Sequence, residues 1–194
     1  LGKDATEDCF KKEAPGSRII HFATHGYFLE GICADDGRED DLSSDGEWAG
    51  ENPLLQSGLF LAGANLHGKG ADSAGVDDGI LTAYEVSALD LSGTETVVLS
   101  ACETGLGRIQ EGEGVYGLRR AFQMAGVRTV ISALWPVLDP MTSELFSSLY
   151  ERSSLNISQA LQQVQLNKLG ELRAENKIDH PAQWAAFIVL GDWR

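Results

Sequence analysis

The sequence predicts an α/β fold in which a mostly parallel central sheet carries helices on both faces. Three short apolar runs lack clean polar alternation and so indicate strands buried on both sides, at residues 18–23, 96–101 and 127–135. Helical patterns separate these runs, and strands that alternate with helices typically form parallel sheets. The 194 residues, 43% of them hydrophobic, are enough for a single domain over residues 1–194.

Ten elements are predicted in chain order. They are a helix at 4–12, a strand at 18–23, a weaker strand at 59–62, a short helix from 82, a strand at 96–101, a helix at 115–125, a strand at 127–135, helices at 139–152 and 158–170, and a strand at 187–190. β-Branched and aromatic residues are frequent in the strands, and such residues suit a pleated, buried surface.

Capping residues delimit three of the helices. Asp4 is the predicted N-cap of the first helix, with Glu7 three residues later, and Thr82 with Glu85 forms a second capping box. Ser158 is the predicted N-cap of the last helix, which we expect to end at Gly170.

The two remaining helices also have boundary signals. Residues 115–125 carry an apolar stripe, and Gly126 supplies the left-handed turn at its end. Asp139-Pro140 opens the next helix, because proline fits the first helical position.

The negative charge of the chain is concentrated in one stretch. The sequence has 29 acidic residues against 15 lysines and arginines, for a net charge of −14. Nine acids and one arginine fall within residues 30–51, so this stretch, the acidic loop, carries −8 of that charge. Its scarcity of apolar side chains predicts an inserted surface loop, and residues 67–79 are a smaller one. Beside a catalytic cleft, the acidic loop would attract basic substrates or a basic regulator; the alternative is a solvated insertion.

Composition argues against several classes of protein. The net charge disfavours nucleic-acid binding and anionic membrane surfaces, and no run of 18 apolar residues could span a bilayer. Three widely spaced cysteines without a CxxC pair fit a reducing cytoplasm and argue against structural zinc. We therefore expect no metal or cofactor. The chain opens without Met or a signal peptide, so we expect the C-terminal part of a longer cytoplasmic protein.

Two predicted strands are followed by reactive side chains. His25 comes just past the first strand and precedes Gly26, and Cys102 comes just past the strand at 96–101. Because parallel strands end at one edge of a sheet, the imidazole and the thiol can meet there. An imidazole can take the thiol proton, and the N–H groups of Gly26 and Cys102 could then bind an oxyanion. Both side chains can equally be structural, since cysteine is often a small buried hydrophobe.

Several sequence blocks together resemble the CHAT domain, a family of caspase-like cysteine peptidases related to separase. They are HFATHG at 21–26, SACETG at 100–105, GLRRAFQMAGVRTVISALWPV at 117–137 and HPAQWAAFIVLGD at 180–192. The resemblance extends over residues 5–194. It implies a caspase-like α/β sandwich, which agrees with the parallel sheet predicted above. It also implies upstream tetratricopeptide repeats, which often accompany this domain in bacteria.

The resemblance further implies roles for the candidate residues. His25 becomes the general base and Cys102 the nucleophile, with the Gly26 and Cys102 N–H groups as oxyanion donors. We expect His21 in the core or behind the catalytic pair. No family role follows for four other cysteines and histidines: Cys9, Cys33, His67 and His180.

Substrate preference is predicted from the segment WPVLD at 135–139. This segment resembles the one in separase whose Asp is thought to hold a substrate arginine. By that resemblance Asp139 and Trp135 form the pocket, and cleavage follows Arg, or less readily Lys, since a carboxylate can pair bidentately with guanidinium. Asp139 before Pro140 is also a good helix N-cap, and the two roles are compatible.

Regulation is predicted from the loop at 106–114. This loop follows the nucleophile where caspases carry their activation linker, and Arg108 within it is a candidate self-cleavage site. The alternative is an uncut loop before a helix. The resemblance also implies control by an upstream tetratricopeptide-type region or a separate regulatory protein, and a protein or peptide substrate with a basic residue before the cut.

Other functional classes fit the sequence less well. A catalytically silent interaction module with the CHAT fold is the main alternative, although both His25 and Cys102 are present with their glycines. An α/β-hydrolase would need a GxSxG elbow, which the sequence lacks. A dinucleotide-binding enzyme would need GxGxxG directly after the first strong strand, which is also missing.

Overall fold

The computed structural model of this chain describes seven segments of it. These are residues 2–28, 54–66, 78–100, 113–135, 137, 139–152 and 155–192, without the side chains of residues 113–116 and Asp139. The predicted acidic loop at 30–51 and most of the smaller loop, residues 67–77, lie outside these segments.

Helices and strands alternate along the described part of the chain. In order they are α1 (Glu7–Glu13), β1 (Ile19–Phe22), β2 (Gly26–Phe28), β3 (Ser57–Phe60), β4 (Ile80–Thr82), α2 (Ala83–Ser87), β5 (Thr96–Leu99), α3 (Glu113–Met124), β6 (Thr129–Ala133), α4 (Asp139–Tyr150), α5 (Ile157–Ala174) and β7 (Phe187–Gly191). Short 3-10 turns lie at Gly2–Asp4, Ala64–Leu66 and Pro181–Gln183.

The main sheet has four strands in the order β1-β5-β6-β7. β1 pairs with β5 and β5 with β6 in parallel, whereas β7 pairs with β6 antiparallel. Each parallel connection passes through a helix, as the chain needs a crossover to return to the same end of the sheet. The predicted mostly parallel sheet is confirmed.

Helices cover both faces of this sheet. Val97 in β5 packs into one apolar cluster together with Phe122 of α3 and Val86 of α2. The next residue, Val98, packs into a second cluster with side chains of α4 and α5. Because neighbouring strand residues point to opposite faces, both must be apolar in a sheet covered on both sides. This explains why the strands lack polar alternation.

A second, smaller sheet was not predicted. It is antiparallel, with the order β2-β3-β4 and three or four residues in each strand. The weak strand predicted at 59–62 is its middle strand, and lies two residues earlier, at Ser57–Phe60. The N–H of Leu61 extends the ladder with β4 by donating to Gly79 O, and the chain leaves the ladder at Ala62, whose N–H donates to Ala5 O.

Two predicted N-caps are wrong. α1 begins at Glu7 because Thr6, in extended conformation, accepts the N–H of Cys9, whereas Asp4 belongs to the preceding 3-10 turn. α5 is capped by Asn156, whose side chain accepts from the N–H of the predicted cap, Ser158.

The predicted end of α5 at Gly170 is also wrong. The helix continues to Ala174 and closes at Asn176, which has a left-handed φ of 52°. The N–H groups of Asn176 and Lys177 donate to Arg173 O and Leu172 O, the pattern of a Schellman cap.

Other boundary predictions are confirmed. Thr82 and Glu85 form both hydrogen bonds of a capping box at the start of α2. Gly126 has a φ of 99° after α3, and α4 begins at Asp139. None of the helices in the described segments combines the length and apolar character that crossing a membrane requires.

Candidate active site

The candidate site lies at the edge of the main sheet where β1, β5 and β6 end. Phe22 and Leu99, the last residues of β1 and β5, are paired in register, and the N–H of Ser100 extends the ladder by donating to Phe22 O at 3.1 Å. In open α/β sheets ligands bind outside this edge, because the chain leaves the strands there and exposes loop residues.

The second sheet holds the backbone of His25 in place. The carbonyl oxygen of His25 accepts the N–H of Phe60 at 2.8 Å, and the next residue, Gly26, is paired with Leu59. The hydroxyl of Thr24 donates to the carbonyl oxygen of Phe60. The short segment between β1 and β2 is therefore attached on one side to β3.

The His25 side chain is exposed at this position. No hydrogen bond joins its imidazole to the parts of the chain that the structure describes. An exposed imidazole with a fixed backbone is free to turn its ring toward a substrate or a neighbouring thiol, a resting arrangement compatible with general-base chemistry. Its predicted role stays a prediction.

His21 lies on β1, four residues before His25; it is exposed and so does not lie in the core, and both of its ring nitrogens are hydrogen-bonded. Its Nε2 is 3.1 Å from Ser100 Oγ and its Nδ1 is 2.8 Å from the hydroxyl of Tyr150 on α4. The ring also packs on Phe146, with centroids 4.7 Å apart. Desolvation by this packing lowers the pKa of His21, so the neutral ring prevails at pH 7.

The two predicted pocket residues lie past the end of β6. Trp135 follows Ala133, the last residue of that strand, by two positions and packs half-buried against the cluster that contains Phe146. Its Nε1 is buried and has no hydrogen-bond partner among the described residues. Asp139 is the first residue of α4, and the structure describes its backbone but not its side chain. Because β6 neighbours β5, Trp135 lies at the same sheet edge as the end of β5.

Several candidate residues lie outside the described segments. They are Cys102, the candidate self-cleavage residue Arg108, Cys33 and His67. In the sequence, Cys102 follows Ser100 by two residues.

The other two residues without a predicted role are described. Cys9 is an exposed free thiol on α1. His180 caps the 3-10 turn at Pro181–Gln183, where its Nδ1 accepts the N–H of Ala182 at 3.2 Å. In the described segments no group of three or more histidine, cysteine or acidic side chains is placed to hold a metal ion.

The sequence of the chain matches a known family. A sequence profile of the CHAT domain matches residues 1–192. The chain belongs to the CHAT domain family. This membership relates it to the caspase-like peptidases and agrees with the mostly parallel sheet and its two helical layers.

Curated relatives of this CHAT domain are much longer proteins. The chain is 27% identical over 200 residues to tetratricopeptide repeat protein 28 of Mus musculus, and 26% identical to the Homo sapiens protein of the same name. Each alignment covers 98% of this chain but 8% of the relative. The resemblance to domains associated with tetratricopeptide repeats is therefore confirmed.

The hydrogen bonds of His21 with Ser100 and Tyr150 could not be predicted from the sequence of this CHAT domain. Ser100 was visible only as part of the SACETG block, and Tyr150 only as the end of a helix. The pairing of β2 with β3, which holds His25, was hidden because both strands are short and residues 29–56 separate them in sequence.

Proposed function

We propose that this CHAT domain is a cysteine endopeptidase of the caspase and separase type, with His25 as general base and Cys102 as nucleophile. The observation that carries the proposal is the parallel pairing of β1 with β5. The two strands end at one edge of the sheet, and in the sequence His25 comes three residues after the end of the first and Cys102 three residues after the end of the second.

The proposed reaction needs only these two side chains and backbone N–H groups. His25 accepts the proton of the Cys102 thiol, and the thiolate attacks the carbonyl carbon of the scissile peptide. The N–H groups of Gly26 and Cys102 donate to the oxyanion of the tetrahedral intermediate. His25 then protonates the leaving amine, and water hydrolyses the thioester. No cofactor takes part.

We further propose that the preferred substrates carry Arg, or less readily Lys, before the cut. Asp139 and Trp135 would line the pocket, with the carboxylate of Asp139 pairing with the guanidinium. The support is the WPVLD segment and the position of Trp135 just past β6, next to the end of β5. As the first residue of α4, Asp139 lies one position after the N-cap position predicted for it, where a carboxylate still stabilises the helix N-terminus through the helix dipole, and one carboxylate can serve both purposes.

Control of the activity is proposed to come from outside the domain. The relatives' name includes tetratricopeptide repeats, so an upstream region of this kind or a separate regulatory protein is the proposed regulator. Self-cleavage after Arg108 is a second proposed control. It predicts that the purified wild-type chain is shortened and that the Cys102→Ala chain stays intact by mass spectrometry.

The direct test is a panel of fluorogenic peptides that differ only in the residue before the cut. We expect kcat/KM to be highest for Arg, then Lys, and to fall by about a thousandfold or more in Cys102→Ala and in His25→Ala. Cys9→Ser is the matched control for the thiol, because Cys9 is exposed on α1. It should retain wild-type activity.

The panel also distinguishes the alternatives. Preference for an acidic residue before the cut would overturn the pocket assignment but leave the peptidase in place. If no peptide is cleaved and iodoacetamide labels Cys102 equally in wild type and His25→Ala, the chain is a catalytically silent interaction module.

A further inference from the structure

His21 lies at the centre of a chain of hydrogen bonds that crosses three elements. Tyr150 at the end of α4 contacts its Nδ1, and its Nε2 contacts Ser100 just past β5. The Ser100 hydroxyl in turn donates to the carbonyl oxygen of Phe22, the last residue of β1, at 2.9 Å.

The donor and acceptor in each hydrogen bond follow from the carbonyl oxygen of Phe22, at the end of the series. Phe22 O can only accept, so Ser100 Oγ is the donor in that pair and accepts the N–H of His21 Nε2. Nδ1 of the neutral ring is then unprotonated and accepts the Tyr150 hydroxyl. All four groups agree with one tautomer of His21.

These hydrogen bonds lie at the ends of β1 and β5, close in sequence to the candidate catalytic residues. Ser100 and Phe22 are the points where the backbones of β5 and β1 leave the sheet. His25 comes three residues after Phe22, and Cys102 comes two residues after Ser100. The imidazole of His21 therefore connects the origins of the two segments that carry the base and the nucleophile.

We propose that His21 and Tyr150 are positioning residues, which set the spacing of the ends of β1 and β5 and thereby the reactivity of Cys102 toward His25. This inference rests on the proposed peptidase function. Neither side chain reacts with the substrate. Tyr150 orients the His21 ring from α4, and His21 holds the Ser100 hydroxyl on the end of β1.

The decisive variant is Tyr150→Phe, because it removes only the hydroxyl and keeps the ring contacts with Phe146 and His21. Tyr84→Phe on α2 is the matched control, since Tyr84 is 54% exposed. We expect kcat of Tyr150→Phe to fall about 3- to 10-fold, the effect of one lost hydrogen bond, with KM unchanged. Tyr84→Phe should change neither constant.

His21 variants separate the two halves of the chain of hydrogen bonds. The side-chain oxygen of Asn can take the place of Nδ1 and accept from Tyr150, and the amide of Gln can take the place of Nε2 and donate to Ser100. We expect kcat of His21→Asn and His21→Gln to lie between wild type and His21→Leu. Equal kcat in all three variants would mean that the ring serves only as packing.

Alkylation of Cys102 provides a readout that does not depend on peptide cleavage. Iodoacetamide rates at Cys102 are measured by peptide mass spectrometry, with the exposed Cys9 as internal reference. We expect Tyr150→Phe and His25→Ala to slow alkylation of Cys102 and to leave that of Cys9 unchanged.

The results distinguish this inference from the proposed function. If His25→Ala slows alkylation but Tyr150→Phe behaves like Tyr84→Phe, the positioning role is overturned and the peptidase stands. If Tyr150→Phe slows it and His25→Ala does not, the positioning of Cys102 is supported and the base assignment fails. If neither has an effect, both are wrong.

Discussion

At the scale of single residues, the most unusual group is the carboxyl of Glu7 on α1. Its side chain is 1% exposed and contacts Lys11 Nζ and the N–H of Gly79 at 3.3 Å. Lys11 also reaches Glu85, at 3.1 Å. Burial, strengthened by the neighbouring Glu85, raises the pKa of Glu7 to about 7 against the pull of Lys11. Near neutral pH this carboxyl is therefore partly protonated inside the fold.

The two carboxyl groups divide the charge unequally. Burial also opposes ionisation of Glu85, but hydrogen bonds from the Thr82 N–H and hydroxyl and from Glu7 hold its pKa below the usual value. The ionised member is thus Glu85, which caps α2, and the protonated Glu7 can donate to it.

Glu7 predicts a stability that falls as pH rises. Between pH 5 and 7 the folded chain holds a proton on Glu7 that the unfolded chain has already released, so raising the pH favours unfolding. Glu7→Gln lacks this proton. We expect the free energy of unfolding of the variant, relative to that of wild type, to rise by about 2 to 3 kcal/mol between pH 5 and pH 8, measured by urea unfolding.

Glu13→Gln is the control for this experiment. Glu13 is exposed at the end of the same helix, so Glu13→Gln tests whether removing one negative charge from α1 is enough to produce the change expected for Glu7→Gln. A Glu7→Gln variant that loses stability relative to wild type on going to pH 8 would show that Lys11 dominates, and that Glu7 is ionised in the fold.

At the scale of elements, the strongly patterned parts of the fold were predictable. The buried strands β5 and β6, α3 with Gly126, and the capping box of α2 all follow from signals within a few residues. The prediction that the first strand is also buried is wrong: β1 lies at an edge of the four-stranded sheet, and only Phe22 in it is buried. The N-caps of α1 and α5 were not predictable, because Asp4 and Thr6 are both good cap residues, as are Asn156 and Ser158. The backbone conformation outside the helix decides which of them caps it.

The candidate site was predictable only in part, for a related reason. His25, Gly26 and Cys102 belong to short motifs, but the contacts of His25 and His21 are distant in sequence. The second sheet consists of strands too short to show periodicity, and Tyr150 is 129 residues from His21. Such pairs follow from the packing of the sheets and helices.

The second sheet depends on the absence of a side chain at Gly58 in β3. A Cβ at this position would lie 2.8 Å from Leu81 O of β4 and 2.6 Å from the Tyr27 ring of β2. This backbone oxygen cannot move away without disturbing the pairing of β3 with β4. We expect Gly58→Ala to lower the free energy of unfolding by about 1 to 3 kcal/mol, and to weaken catalysis because β3 holds His25.

Gly170→Ala is the matched control, and its expected sign is opposite. Gly170 lies inside α5, and a Cβ there would have no atom within 4 Å. Alanine restricts the unfolded chain and favours the helix. We therefore expect the free energy of unfolding to rise by about 0.5 to 1 kcal/mol, measured by thermal or urea unfolding. Equal effects of the two substitutions would contradict the packing described at Gly58.

At the scale of the whole molecule, the main sheet is a single layer shared by two apolar clusters. Val97 belongs to the cluster under α2 and α3, and Val98 to the cluster under α4 and α5. Both are fully buried, and their peptide units lie in the same central strand. Since β5 contributes side chains to both clusters, we expect a substitution that destabilises one cluster to destabilise the other as well.

This predicts that the described fold unfolds as one cooperative unit. We expect Val97→Ala and Val98→Ala each to lower the free energy of unfolding by about 2 kcal/mol, through lost apolar burial and a small cavity. Leu166→Ala should have little effect, because Leu166 is 55% exposed on α5. Hydrogen exchange then locates the change: each valine variant should speed exchange in α3 and in α5 by the same factor, because global unfolding exposes both. Faster exchange in α3 alone after Val97→Ala would instead divide the domain into two units that unfold separately, one on each face of the sheet.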